Sequence, residues 1–163
     1  MTPDVQTIAK DRMRYTKDKF SSMIAILAIV FDCLYFVSIY QSDVGTFYYN
    51  WLIGVSIVYN LIFLLAAFLA SESVKNRKDG YSGILIVLGV IQIARIFILP
   101  AQAHAATVLV NGVETVVMGD KQYLYCVACL VISAVCCIVA AVVSAKNNKT
   151  LADYMKTLEN KAA

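Results

Sequence analysis

The chain has 163 residues, of which 60% are hydrophobic and only 15% charged, with two prolines, five cysteines and a net charge of +3. An average soluble domain carries about 25% charged residues, so this composition excludes an ordinary water-soluble fold and a disordered chain. A secreted disulfide scaffold is excluded too, because the cysteines lie inside apolar runs, and the small positive excess calls for no nucleic acid.

Residues 1–19 come first. Thr2 can cap a helix with Pro3 at its first position and Asp4 near the positive end of its dipole; Val5, Ile8, Ala9 and Met13 then form an apolar stripe among basic residues. The expectation is a cytoplasmic amphipathic helix that lies on headgroups or docks a partner.

Residues 20–145 follow as a four-helix transmembrane domain. Four apolar runs reach the roughly 20 residues a helix needs to cross a hydrocarbon core: 20–40, 47–70, 81–100 and 123–145. Of the 25 charged residues only Asp32 and Arg95 fall inside them. Helices are expected, since an open strand edge in lipid leaves backbone groups unpaired. The first run is too long for a signal-peptide core and reads as a retained anchor. No internal repeat supports an inverted-repeat transporter.

Twelve of the fourteen lysines and arginines lie before the first run, in the loop holding Lys75, Arg77 and Lys78, or in the tail. By the positive-inside bias both termini are cytoplasmic. Tyr40, Tyr48, Tyr49, Trp51, Tyr123 and Tyr125 fit an aromatic belt at the opposite surface. The compact loops and charge asymmetry fit a bacterial cytoplasmic membrane, and a eukaryotic membrane is compatible with the same features.

Between the third and fourth runs, 107–118 predicts a small extracytoplasmic β-hairpin. Thr107 to Val110 and Val113 to Met118 are rich in β-branched residues and flank Asn111-Gly112, a pair suited to a type I′ turn. Such a hairpin is marginal alone and is expected to lean on the bundle as a lid or to offer a partner-binding edge. The tail, 146–163, predicts a separate cytoplasmic amphipathic helix capped by Thr150, with Leu151, Tyr154, Met155 and Leu158 on one stripe.

The spans carry an intramembrane polar layer. At 1.5 Å per residue Asp32, Asn60, Arg95 and Ser133 fall about 15–21 Å from the inner ends of their runs, near one level. A midspan charge costs at least about 2.5 kcal/mol, and Asp32 is the natural partner of Arg95, with Asn60 and Gln92 filling further hydrogen-bond positions. Gln92, Arg95, Leu99 and Gln102 share one helical stripe and Ser56, Tyr59 and Asn60 another, so both are expected to face inward. The pair reads first as a clasp that fixes helix order. The alternatives are a polar cavity for a solute, proton or anionic ligand, and a contact between Arg95 and a carboxylate of another subunit.

Cys126 and Cys129 form a C-x-x-C near the outer end of the fourth run and share a face with Cys136 and Cys137. In cysteine spacing and span count this resembles the quinone-linked membrane thiol oxidoreductases of the DsbB and vitamin K epoxide reductase type, which implies a redox role for Cys126 and Cys129. Those families also use a second cysteine pair in an extracytoplasmic loop, and here neither 41–46 nor 101–122 contains a cysteine. Packing as small apolar side chains beside Ala134, Ala141 and Ser144, on a face suited to close helix contact, is the stronger reading of the four cysteines.

His104 has no ligand set around it in the sequence, so no metal is expected. No phosphate loop, H-E-x-x-H or serine elbow is present. With no cofactor and no assembled catalytic site, the expected function is that of a non-enzymatic subunit, scaffold or regulatory partner of a homo- or hetero-oligomeric membrane complex. The alternatives are a small oligomeric transporter or channel built around Asp32 and Arg95, and the thiol oxidoreductase.

Overall fold

The computed structural model describes residues 5–40, 51–110 and 113–162. Its elements in chain order are α1 (Val5–Tyr15), α2 (Lys19–Tyr40), α3 (Trp51–Lys75), α4 (Tyr81–Ile96), α5 (Leu99–Ala105), β1 (Thr107–Val110), β2 (Val113–Val116) and α6 (Asp120–Ala162). Four helical segments are long and apolar enough to cross a membrane: α2, α3, α4 continued by α5, and α6. The protein is thus an all-α integral membrane protein, a four-helix bundle with a small antiparallel hairpin between its third and fourth spans.

α2 packs on α3 and α6, and α4 packs on α6 and less closely on α3, which sets α2 and α4 diagonally across the bundle. Small side chains make these contacts close, as expected where lipid supplies no hydrophobic drive between helices. Ala25, Ala28, Ala67, Ala70, Ala134, Ala140 and Ala141 are buried. Gly89 is the tightest point: a Cβ there would lie 2.9 Å from Ile138 Cγ1 and 3.1 Å from the Ala134 carbonyl oxygen. Large apolar residues such as Leu61, Ile62, Leu65, Val87 and Val90 point outward instead, the arrangement a hydrocarbon solvent allows.

At the end of the bundle near both termini, Asp18 joins three elements. Its backbone N–H donates to the Lys75 carbonyl (2.9 Å). Its carboxylate caps α2 by accepting from the Ser21 N–H (3.2 Å) and hydroxyl (2.9 Å), and also accepts from Asn147 Nδ2 (2.9 Å). Nearby, the Ser71 hydroxyl donates to the Ser22 carbonyl (3.1 Å), so the 2.9 Å contact between the two hydroxyls has Ser22 as donor. α3 closes with a Schellman motif in which the Arg77 N–H meets the Val74 carbonyl and the Lys78 N–H the Ser73 carbonyl.

Several elements differ from the sequence expectation. The third span is not one helix over 81–100. It breaks after Ile96 because Pro100 has no N–H for the Ile96 carbonyl and its ring crowds that oxygen. Phe97 and Ile98 instead turn tightly onto the Ala94 and Arg95 carbonyls at 3.2 Å, and α5 carries the chain on. The second span runs to Lys75, beyond Ala70.

No separate C-terminal helix begins at Thr150. α6 is continuous for 43 residues, and Thr150 Oγ1 donates to the Lys146 carbonyl four residues back (2.9 Å) rather than capping a new start. No glycine or proline interrupts the chain after Gly119.

The hairpin pairs Thr107 with Val116 and Val110 with Val113. Its second strand ends at Val116, short of Met118, which turns into the core and is fully buried. Leu109 and Val116 stay exposed, so the hairpin is tied down at its base rather than along its length. Its turn residues Asn111 and Gly112, the cap Thr2 to Asp4, and the turn 41–46 with Tyr48 and Tyr49 lie outside the described residues.

Candidate functional site: the midmembrane polar layer

The core divides into two apolar clusters. One, toward the termini, includes Ala28, Phe63, Ala67, Leu85 and Cys137; the other, toward the hairpin, includes Tyr35, Ile39, Ile96, Met118, Cys126 and Leu130. The residues between them are the polar ones. Asp32 on α2, Asn60 on α3, Gln92 and Arg95 on α4, and Ser133 on α6 are all buried, and the structure brings the five together.

Arg95 is the hub. Its Nη1 donates to Asp32 Oδ1 at 2.8 Å and to Gln92 Oε1 at 3.3 Å, and its Nη2 donates to Asn60 Oδ1. Gln92 Nε2 donates to the same Asp32 oxygen at 2.8 Å and to Ser133 Oγ at 3.4 Å, and Ser133 passes its own hydrogen to the Ala28 carbonyl at 2.9 Å. The guanidinium also lies over two aromatic rings, its Cζ 4.5 Å from the centroid of Tyr35 and 4.7 Å from that of Tyr59. A cation held this way in a dry interior gains about 2 kcal/mol or more from ring contact.

Local sequence produces this geometry. Asp32 and Tyr35 are three apart on the inward stripe of α2, so the anion and one ring reach the same cation. Gln92 and Arg95 have the same spacing on α4. Because the helix breaks after Ile96, Arg95 lies in its last turn, where the exposed carbonyl ends favour positive charge. The same break alters the expected stripe: Leu99 is half-buried and Gln102 exposed, so only Gln92 and Arg95 point inward.

Residue reasoning placed the five polar side chains but missed the two rings as partners of the cation. The i+3 spacing of Tyr35 from Asp32 was the available signal, and Tyr59 sits beside Asn60. It also missed the Asp18 clasp, which the D-x-x-S spacing to Ser21 announces as a helix cap.

A groove of about 200 Å³ opens beside the layer between α3 and α4. Val55, Tyr59, Ile91, Arg95 and Ile98 line it, with Gln102 also in its wall.

The cysteine face is inward as the spacing implied: Cys126, Cys129 and Cys137 are buried and Cys136 is half-buried, and all are free thiols. Cys126 Sγ lies 3.7 Å from Ser38 Oγ. Near the hairpin, His104 donates from Nδ1 to the Met118 carbonyl (3.2 Å), stacks on Tyr123 and has Asp120 3.8 Å from Nε2. Among the described residues no cluster of three histidine, cysteine, aspartate or glutamate side chains forms a metal site.

Comparison of the chain with protein-family models, curated proteins and solved structures returned no match.

Proposed function

We propose that this protein is a non-enzymatic subunit, scaffold or regulatory partner of a membrane complex, with both termini in the cytoplasm. The observation that carries the reading is the length of α6. From Lys146 to Ala162 it continues as an unbroken helix, an arm of about 25 Å. Lys149, Asp153, Lys156 and Glu159 are exposed along it, a mixed-sign surface suited to a folded partner. The polar layer supports the same reading through Arg95, whose guanidinium is held by Asp32, Gln92 and Asn60 as a helix clasp, although the buried Asp32 Oδ2 and Asn60 Nδ2 have no hydrogen-bond partner among the described residues. The charge bias of loops and tails supports the orientation.

The test is purification from native membranes in mild detergent. The expected result is a particle larger than the monomer, reduced to the lone chain by Lys149→Glu with Lys156→Glu while thermal stability is kept. Recovery of wild type as a lone monomer overturns the proposal.

A second reading, a small oligomeric transporter using the layer around Asp32 and Arg95, is favoured by the groove that reaches Arg95 from the side. Solute flux in proteoliposomes that Ala94→Phe abolishes without loss of fold supports it; intact flux in that variant counts against it.

A further inference from the structure

The polar layer leaves one charged feature at the terminal end of the bundle unused. Tyr15, Thr16, Lys17, Asp18, Lys19, Phe20 and Arg77 line an open hollow of about 590 Å³ where α1 turns into α2 beside the end of α3. Three cations face one carboxylate, and Asp18 is already taken by Ser21 and Asn147. The hollow is therefore a net-positive recess.

Arg77 gives it shape. It occupies the left-handed position of the Schellman motif with φ 55°, a place where glycine is usual because a side chain there is disfavoured. The arginine side chain turns back across the hollow, and its Nε donates to the Thr16 carbonyl (3.2 Å). Its buried Nη1 makes no hydrogen bond among the described residues. A guanidinium anchored through its Nε in the wall of the hollow is a fixed positive charge for phosphate oxygens. Lys17 and Lys19 are exposed on the same rim.

The surroundings identify the source of the phosphate. Phe20 is 64% exposed and Tyr15 80%, and both line the hollow at the start of a membrane span. Apolar and aromatic side chains next to cations at that depth match the boundary between acyl chains and headgroups.

We propose that this hollow binds the headgroup of an anionic glycerophospholipid, with Arg77, Lys17 and Lys19 on the phosphate and Phe20 and Tyr15 against the glycerol and upper acyl region. A local site of this kind differs from the diffuse attraction of basic loops to an anionic leaflet, because it depends on which cations are removed.

Native mass spectrometry of the full chain in mild detergent, titrated with dioleoylphosphatidylglycerol or dioleoylphosphatidylcholine, tests it. The first phosphatidylglycerol is expected to bind at a concentration at least about tenfold below that for phosphatidylcholine, with about fivefold lost per rim cation removed. Lys17→Gln with Lys19→Gln should thus weaken it about 25-fold, and Arg77→Gly, which suits the backbone but removes the guanidinium, about fivefold or more. The control pair Lys10→Gln with Lys161→Gln, outside the hollow, should leave it unchanged. Equal binding of the two lipids, or an equal loss in the control pair, overturns the proposal. Displacement of the lipid by millimolar inorganic phosphate assigns the hollow to a soluble phosphoanion and overturns the lipid assignment.

Discussion

Arg95 sits in a setting where its charge is met by Asp32, its hydrogen bonds by Gln92 and Asn60, and its guanidinium lies over the rings of Tyr35 and Tyr59. Removing one partner of such a buried pair leaves the other unpaired, at a cost of about 3–5 kcal/mol, whereas replacing both with apolar groups is close to neutral. Arg95→Ala should therefore lower the midpoint of thermal unfolding in detergent sharply, and Asp32→Leu with Arg95→Met, which nearly keeps the volume, should stay much closer to wild type. Tyr35→Leu keeps the volume roughly and removes one ring, with an expected loss of about 1–2 kcal/mol. By contrast, interhelical hydrogen bonds in membrane proteins average about 0.6 kcal/mol, so Ser22→Ala should be a small change in the same assay. The pair was legible in the sequence because only two charges lie in the spans. The rings were not, since a tyrosine in a membrane helix has other uses and only a three-dimensional neighbour reveals this one.

Pro100 and Gly89 act on whole helices. The break that Pro100 imposes puts Arg95 in a terminal turn and exposes Gln102, and a proline in an apolar run signals that break more reliably than the helical stripe drawn through it. Gly89 sets the distance between α4 and α6. Gly89→Leu must displace the Ala134 backbone and should cost about 1–3 kcal/mol, more than Gly89→Ala, by thermal unfolding of the purified variants. The continuity of α6 is testable directly: spin labels at positions 142 and 159 should give one narrow distance near about 26 Å. A broad or shorter distribution would restore the separate helix capped by Thr150. A threonine followed three residues later by an aspartate looks like a cap, but it starts a helix only where the preceding turn has ended. Here the unbroken run of helix-compatible residues from Asp120 prevails, with Thr150 bonded inside it.

For the molecule as a whole, the two sets of charges should respond differently to salt. The Asp32–Arg95 pair is shielded from solvent, and raising ionic strength to about 1 M, where the screening length is about 3 Å, should leave thermal stability unchanged. The rim of Lys17, Lys19 and Arg77 is open, so the same salt should weaken anionic lipid binding measured by co-purification. Span count and the presence of the hairpin were readable from hydropathy and β-branched runs, because hydrocarbon solvent permits so few architectures. The order of helices around the bundle was not, because it depends on small residues such as Ala28, Ala67 and Ala134 that look alike in sequence. The longest helix has a mechanical consequence. One end of α6 is packed between α2 and α4 and the other is an arm of about 25 Å, so a tilt of about 10° within the bilayer sweeps the tip through roughly 4–5 Å. Changes in membrane thickness or in packing around the polar layer are thereby converted, with leverage, into displacement at the far end of the arm.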